Sequence, residues 1–200
     1  LISVTTASFT DLAGNSFAAG STVATIAVDT RVPTISGIPD SSNLAKGENA
    51  TIALTLSETS SDFDEADLTA INGTLSSFTG SGSSYTVVFT PTNDFEGTGS
   101  VTIANGVLTD PAGNPNESSS VDLTIDTLAP SVTITSDKAS VGGNDGSTVE
   151  TATITFTLSE DSSDFTDSDI TTSNGTLGLI SGSGSTYSAT FTPDSDFNGT

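Results

Sequence analysis

The chain has 200 residues, of which 25 are acidic and three are basic, so its formal net charge at neutral pH is −22. This charge excludes DNA and RNA as partners because nothing would neutralise their phosphates. The sequence contains no histidine or cysteine, which removes the usual catalytic bases and nucleophiles, so we expect no enzyme. No apolar run is long enough for direct membrane insertion.

Short runs in which apolar residues and threonines alternate predict β-strands along the chain, and no run has a helical period. In the middle of the chain we expect strands A to G, near 32–38, 50–57, 67–72, 74–79, 84–90, 99–107 and 118–125. Asn72-Gly73 predicts a hairpin turn, and Gly80-Ser-Gly82 predicts a flexible one. Seven short antiparallel strands with turns between them predict an all-β fold, a two-sheet immunoglobulin-like β-sandwich.

The sequence repeats itself. Leu56-Ser-Glu58 and Phe89-Thr-Pro91 recur 102 residues later as Leu158-Ser-Glu160 and Phe191-Thr-Pro193, and Asp11-Leu-Ala-Gly-Asn15 recurs as Asp110-Pro-Ala-Gly-Asn114. Repetition over about 100 residues indicates tandem domains stacked in an array. We expect a complete module at 29–126, the C-terminal strands of a partial module at 1–28, and the N-terminal strands of a further module at 127–200.

The two fragments together contain the parts of one more module, because Phe197-Asn-Gly-Thr200 followed by Leu1-Ile-Ser-Val resembles residues 95–101. We therefore interpret the chain as one period of a longer fibre, with neighbouring modules as its partners end to end. The array is either covalent beyond both ends, which we favour, or formed by strand exchange, in which one chain's start completes its neighbour's last module.

In this topology the loop between strands B and C (58–67, the B–C loop) and the loop between F and G (110–114, the F–G loop) lie at the end where the preceding linker enters. Clustered carboxylate, amide and carbonyl oxygens suit Ca²⁺. The predicted ligands are Asp29, Glu58, Asp67, Asp110 and Asn114 in the complete module, and Asp126, Glu160, Asp169, Asp11 and Asn15 in the next one, where the last two are supplied across the periodic joint.

The same residues also have a simpler interpretation as solvated turn residues, since Asp-Pro-Ala-Gly-Asn favours a β-turn whatever binds it. Asp62, Asp64, Asp164 and Asp167 are loop candidates of second rank. Asn116-Glu-Ser118 fits the N-glycosylation pattern.

Ile125-Asp-Thr-Leu-Ala-Pro130, the Leu-Ser-Glu segment with its following Asp-Phe, and Asp110-Pro-Ala-Gly-Asn114 resemble the bacterial immunoglobulin-like repeats of giant secreted adhesins, including the RTX type. The resemblance implies an extracellular rod at a bacterial cell surface, stiffened by calcium at domain junctions, with the adhesive ligand bound by other domains. It therefore predicts a structural extender or spacer.

Two other functions remain open from the sequence. The chain is alternatively a subunit of a self-assembling extracellular filament or matrix, in which modules are completed by strand exchange. A carbohydrate- or ice-binding module is a third class, which would need a flat, regular or aromatic-lined exposed face.

Overall fold

The computed structural model describes residues 2–3, 10–15, 23–24, 26–142, 149–195 and 199. The chain divides into two compact units, Leu1–Leu128 and Ala129–Thr200. Within these described ranges, every regular element apart from two short 3-10 helices is a β-strand, so the all-β prediction is confirmed. Among the described residues, no helix has the length and apolar character needed to cross a bilayer.

The first unit contains a sandwich of two sheets, in which every pair of neighbouring strands is antiparallel except β4 and β9. One sheet has the order β3-β5-β7, from Ile35–Pro39, Ala50–Ser60 and Gly73–Pro91. The other has the order β4-β9-β8-β6, from Asn43–Ala45, Ser119–Asp126, Glu96–Ile103 and Leu68–Ile71. A 3-10 helix at Glu65–Asp67 leads into β6.

Strand alternation builds the core between these sheets. Along β5 the even-numbered residues Ile52, Leu54 and Leu56 are buried, while Ala53 and Thr55 between them are exposed. β9 repeats this pattern, and its buried residues include Leu123 and Ile125. Because side chains alternate with a period of two, each strand supplies one apolar face, and the two faces close on each other.

Three details of the predicted strands need correction. Asn72-Gly73 is not a hairpin turn: Asn72 has a left-handed φ of 56°, but β6 pairs with β8 and β7 pairs with β5, so the chain crosses between sheets here. The predicted fourth and fifth strands form the single element β7, whose ends come together where Thr92 N–H donates to the Asn72 carbonyl at 3.0 Å. β4, a three-residue strand parallel to β9, was not predicted from the sequence.

The described part of the second unit forms one sheet, of order β10-β11-β13-β12, from Val132–Ser136, Ala152–Ser162, Ser181–Pro193 and Gly175–Leu177. A second 3-10 helix lies at Asp167–Asp169. Residues 171–173, which correspond to the end of β6, are not a strand. In the first unit the corresponding strand β6 is paired with β8.

Within residues 1–28 two short strands are described, β1 at Ile2–Ser3 and β2 at Val23–Ala24, and they pair antiparallel. The turn at 10–15 lies between them in the chain. The remainder of the strands predicted in this segment lies outside the described residues.

Candidate metal centre

Three carboxylates that are distant in sequence meet at one end of the first unit. Asp29, Glu58 and Asp110 each place an oxygen within 4.8 Å of the other two. Glu58 lies near the end of β5, Asp110 follows β8 in the F–G loop, and Asp29 lies in the extended segment that precedes β3. Ala27, Val28 and Pro111 line the same open cleft as Asp29 and Glu58.

Glu58 carries an unsatisfied polar atom. Its Oε1 is buried and has no hydrogen-bond partner among the described residues. A buried acceptor without a partner costs free energy, more so when it is charged. The atom therefore indicates a position that a ligand such as a cation or water is expected to satisfy.

The F–G loop orders Asp110 by hydrogen bonds. Its Oδ1 accepts from Ala112 N at 2.8 Å and Asn114 N at 2.9 Å, and its Oδ2 accepts from Asn114 Nδ2 at 2.8 Å. The pKa of Asp110 is lowered, first by the side-chain hydrogen bond from Asn114 and then by backbone N–H groups, against an opposing effect of burial. The carboxylate is therefore kept charged and oriented.

Asp29 belongs to a segment that is weakly attached to the sandwich. Among described residues 26–32, one hydrogen bond reaches the module, from Asn114 Nδ2 to the Asp29 carbonyl at 3.2 Å. The Asp29 Oδ1 accepts from Arg31 N at 3.1 Å, which is a local turn contact. The carboxylate cluster is thus the principal polar meeting point of this segment and the module.

The donor set fits a hard divalent cation. All three groups are carboxylates, and two of them are partly or fully withdrawn from solvent, so three negative charges repel one another at short range. Ca²⁺ takes six to eight oxygen ligands and tolerates irregular geometry. In such a site the three carboxylates would supply part of the shell, and water, which reaches the open cleft, would supply the rest.

The other predicted ligands of the first module serve different contacts. Asn114 turns its amide nitrogen toward Asp110 and Asp29, so it positions the cluster. Asp67 lies outside the cluster, where its Oδ2 accepts from Asp64 N at 2.9 Å and caps the 3-10 helix. Burial raises the pKa of Asp67, with smaller contributions from Asp64 and Asp62.

In the second unit, Glu160 and Asp169 line one cleft together with Asp161 and Asp164. Glu160 Oε1 is buried without a hydrogen-bond partner among the described residues, as at Glu58. The Oδ2 of Asp169 accepts from Thr166 N at 2.8 Å, which repeats the helix-capping role of Asp67. A metal site at Glu160 and Asp169 stays a prediction.

Asp126, Asp11 and Asn15 are also predicted ligands. Asp126 ends β9, where it pairs in register with Glu96. Asp11 accepts from Ala13 N at 2.9 Å, from Asn15 N at 2.8 Å and from Asn15 Nδ2 at 2.8 Å, which is the hydrogen-bond pattern of Asp110. The turns that begin at Asp11 and at Asp110 are thus ordered by the same hydrogen bonds. The role of Asp126, Asp11 and Asn15 as metal ligands stays a prediction.

Asp62 is a tether. Its carboxylate accepts from Ser60 Oγ at 2.5 Å and from Thr109 N and Oγ1, so it ties the B–C loop to the residue before Asp110. These bonds, led by the one from Ser60, lower the pKa of Asp62.

We expect this tether to make stability depend on acidic pH. A carboxylate whose pKa is lower in the folded state contributes stability above its unfolded pKa of about 4. That stability is lost as pH falls through the folded pKa. Asp62→Asn should therefore flatten the acid side of the unfolding curve measured by circular dichroism.

Asp161→Asn is the matched control, because it makes the same substitution at an exposed carboxylate. If the stability of Asp62→Asn fell as steeply with decreasing pH as that of the unmodified chain, the role of Asp62 as a tether would be contradicted.

Sequence reasoning missed two buried polar residues. Asn116 is fully buried, and its side chain accepts from Val107 N and Leu108 N while donating to the Ala104 and Glu117 carbonyls. It shapes the F–G segment, and its interpretation as a glycosylation acceptor is wrong because the side chain is enclosed. Thr127 is also buried, and its hydroxyl donates to the Thr92 carbonyl at 2.7 Å.

Comparison with protein families gives a match to the model of the bacterial Ig-like domain, at residues 29–125 and again at 126–200. A search of curated proteins gives no match.

Proposed function

Because this chain belongs to the bacterial Ig-like domain family, we propose that it is a structural spacer of a bacterial cell-surface adhesin. In this proposal it lies outside the cell, its modules are joined end to end, and calcium stiffens the junctions. The adhesive ligand is bound by other domains of the same protein.

The observation that carries the proposal is the meeting of Asp29, Glu58 and Asp110. The first belongs to the segment that enters the module, and the other two belong to the module itself. A cation bound among them would bridge the two, where the present link is one hydrogen bond from Asn114 to the Asp29 carbonyl. Bound calcium would therefore restrict the direction in which the segment leaves the module.

The length that each module adds to the rod depends on the length of its strands. An eight-residue strand such as β8 spans about 26 Å at roughly 3.3 Å per residue. Flexible linkers between such modules would coil and shorten the reach, whereas clamped linkers keep it extended. The net charge of −22 repels neighbouring rods and favours solubility.

The test is small-angle X-ray scattering of the full chain in calcium and in a chelator, with magnesium as the control cation. We expect a larger maximum dimension in calcium than in chelator, and little effect of magnesium because it demands near-octahedral geometry and gives up water reluctantly. The Asp29→Asn variant should show a smaller difference between calcium and chelator than the unmodified chain does. Equal dimensions in calcium and chelator would overturn the proposal.

A further inference from the structure

One outer sheet face of the first unit is built from uncharged side chains. It belongs to the sheet of β3, β5 and β7, in which outward-facing residues alternate with buried ones. Two neighbouring rows across these strands form what we call the uncharged face: Ser36, Thr55 and Ser84, and then Ile38, Ala53 and Thr86. Within 36–38, 51–55 and 84–88, all of which the structure describes, every residue is uncharged. Asp40 borders this face, where its Oδ1 accepts from Thr51 N at 2.8 Å.

The outer face of the other sheet is acidic. Along β9, Asp122 and Asp126 are exposed and alternate with buried residues. Glu96 of β8 is also exposed, and it pairs in register with Asp126. The carboxylates of the module are therefore distributed unevenly between its two outer faces.

The uncharged face has an apolar centre. Ile38 is 71% exposed although it lies within a strand, and it pairs in register with exposed Ala53. Half-buried Val88 lies on the next row, opposite Thr51. Contiguous exposed apolar side chains gain free energy when a partner removes them from water, and such patches commonly mark contact surfaces.

The second unit repeats the uncharged face without its apolar centre. In the shared register the counterparts of Ile38, Ala53 and Thr86 are Thr135, Thr155 and Ser188. The surrounding described residues 133–135, 153–157 and 186–190 are also uncharged. Each module therefore offers one such face, and that of the first unit is the more apolar.

We propose that two copies of this chain associate side by side, with the uncharged face of one first unit against the uncharged face of the other. The net charge of −22 makes copies repel each other. Contact through the acidic face would also remove water from carboxylates that find no cationic partner on a second copy. Two like-charged copies therefore meet at the lowest cost where no carboxylate enters the contact.

The chemistry of the face favours a second copy over a charged ligand or a carbohydrate. A cationic partner would bind the acidic face instead. A carbohydrate commonly packs on exposed aromatic rings, but Tyr85, which lies between the two rows on β7, is only 5% exposed and donates its hydroxyl to the Ser60 carbonyl at 3.2 Å. Serine and threonine hydroxyls donate and accept, so the face is complementary to its own copy across a twofold axis.

We expect the contact to be weak. Three strands about 4.8 Å apart, each contributing about five residues at roughly 3.3 Å per residue, give a face of roughly 14 Å by 17 Å. This is well below the ~800 Å² per partner of a standard stable interface. A single chain should therefore associate only near millimolar concentration, and modules linked in an array would associate more strongly because their contacts add.

Light scattering of the full chain in chelator, from micromolar to millimolar concentration, tests the contact. We expect the average mass to rise with concentration toward that of a dimer. It should rise further when sodium chloride is raised from about 0.1 M to about 1 M, because the Debye length then falls from about 10 Å to about 3 Å and the repulsion is screened.

Two substitutions that add the same charge separate the two faces. Thr55→Glu, at an exposed position of the internal strand β5, should keep the chain monomeric because it places a carboxylate in the contact. Thr124→Glu is the matched control on the internal strand β9 of the acidic face. This control should associate as the unmodified chain does.

Amide chemical shifts of the unmodified chain locate the contact without any substitution, so this measurement holds even if Thr55→Glu does not fold. As the chain is concentrated, the signals of 36–38, 53–55 and 84–88 should move. Those of Asp122 and Thr124 should stay where they are.

A chain that stays monomeric at every concentration and salt level would overturn the proposal. Equal effects of Thr55→Glu and Thr124→Glu, or shifts confined to β8 and β9, would also overturn it. Association that occurs in calcium and disappears in chelator would show carboxylates bridged by cations, which is a different contact. Because the proposed contact involves no metal, its failure would leave the calcium-dependent spacer function standing.

Discussion

Replacing Phe89 with alanine will lower the free energy of unfolding of the first unit by about 3–5 kcal/mol, the range found for buried phenylalanines. Phe89 has no exposed surface. Its ring lies so close to Gly73 and Gly99 that a Cβ added at Gly73 would lie 2.2 Å from it, and one at Gly99 would lie 2.9 Å from it. The Phe89 ring therefore contacts strands of both sheets. Removing the ring leaves a cavity that the surrounding backbone cannot fill.

Phe191→Ala is the matched control in the second unit. Phe191 occupies the same register position and packs on Gly175 as Phe89 packs on Gly73, but it is only half-buried. We expect a clearly smaller loss, because less apolar area leaves water when this residue folds. Native-state hydrogen exchange followed by mass spectrometry reads each unit separately. Equal losses at the two positions would contradict the assignment of the core to the two-sheet sandwich.

The strands and the core were predictable because alternation is a local property. In β5 and β9 each apolar residue is two positions from the next, so the face that must be buried is visible in the sequence. β4 was not predictable, because Asn43–Ala45 has one buried residue, Leu44, and its pairing depends on where β9 lies in space. The hairpin predicted at Asn72-Gly73 was wrong for the same reason: the turn residues are visible in the sequence, but the pairing of β6 with β8 depends on where β8 lies in space.

The candidate site was likewise predictable in part. Topology was enough to place the linker and the B–C and F–G loops at one end, which brought Asp29, Glu58 and Asp110 together. Side-chain direction was not predictable from spacing. Asp67 lies in the B–C loop as expected, but its carboxylate turns to the N–H of Asp64 because the 3-10 helix leaves that group without a backbone partner.

Substitution Glu58→Gln will remove most of the thermal stabilisation that calcium gives the first unit. Calcium sites of extracellular modules commonly have dissociation constants of about 0.1–1 mM. At roughly 100 times the dissociation constant, a ligand that binds only the folded state stabilises it by about 2.7 kcal/mol. Since one kcal/mol shifts the melting temperature of a domain of this size by about 4–8 °C, the calcium shift lost should be on the order of 10 °C.

Whether Glu58→Gln raises or lowers the stability of the chain in the absence of calcium distinguishes a metal ligand from an ordinary structural carboxylate. In chelator, Glu58→Gln removes one of three charges that repel one another, and it replaces a buried acceptor that has no partner among the described residues. We therefore expect the variant to be as stable as the unmodified chain or more so in chelator, and less stable in calcium. A loss of stability in both buffers would indicate that Glu58 serves packing only.

Glu117→Gln provides the control, because it makes the same charge change at an exposed position of the same unit. Its calcium response should match that of the unmodified chain when both are followed by circular dichroism during heating. If Glu58→Gln and Glu117→Gln respond alike, the carboxylate cluster does not bind calcium. The response should also fade as pH falls toward the ordinary carboxyl range near 4, since protons compete for the same oxygens. Asp110, whose pKa is lowered, should be protonated only at still lower pH.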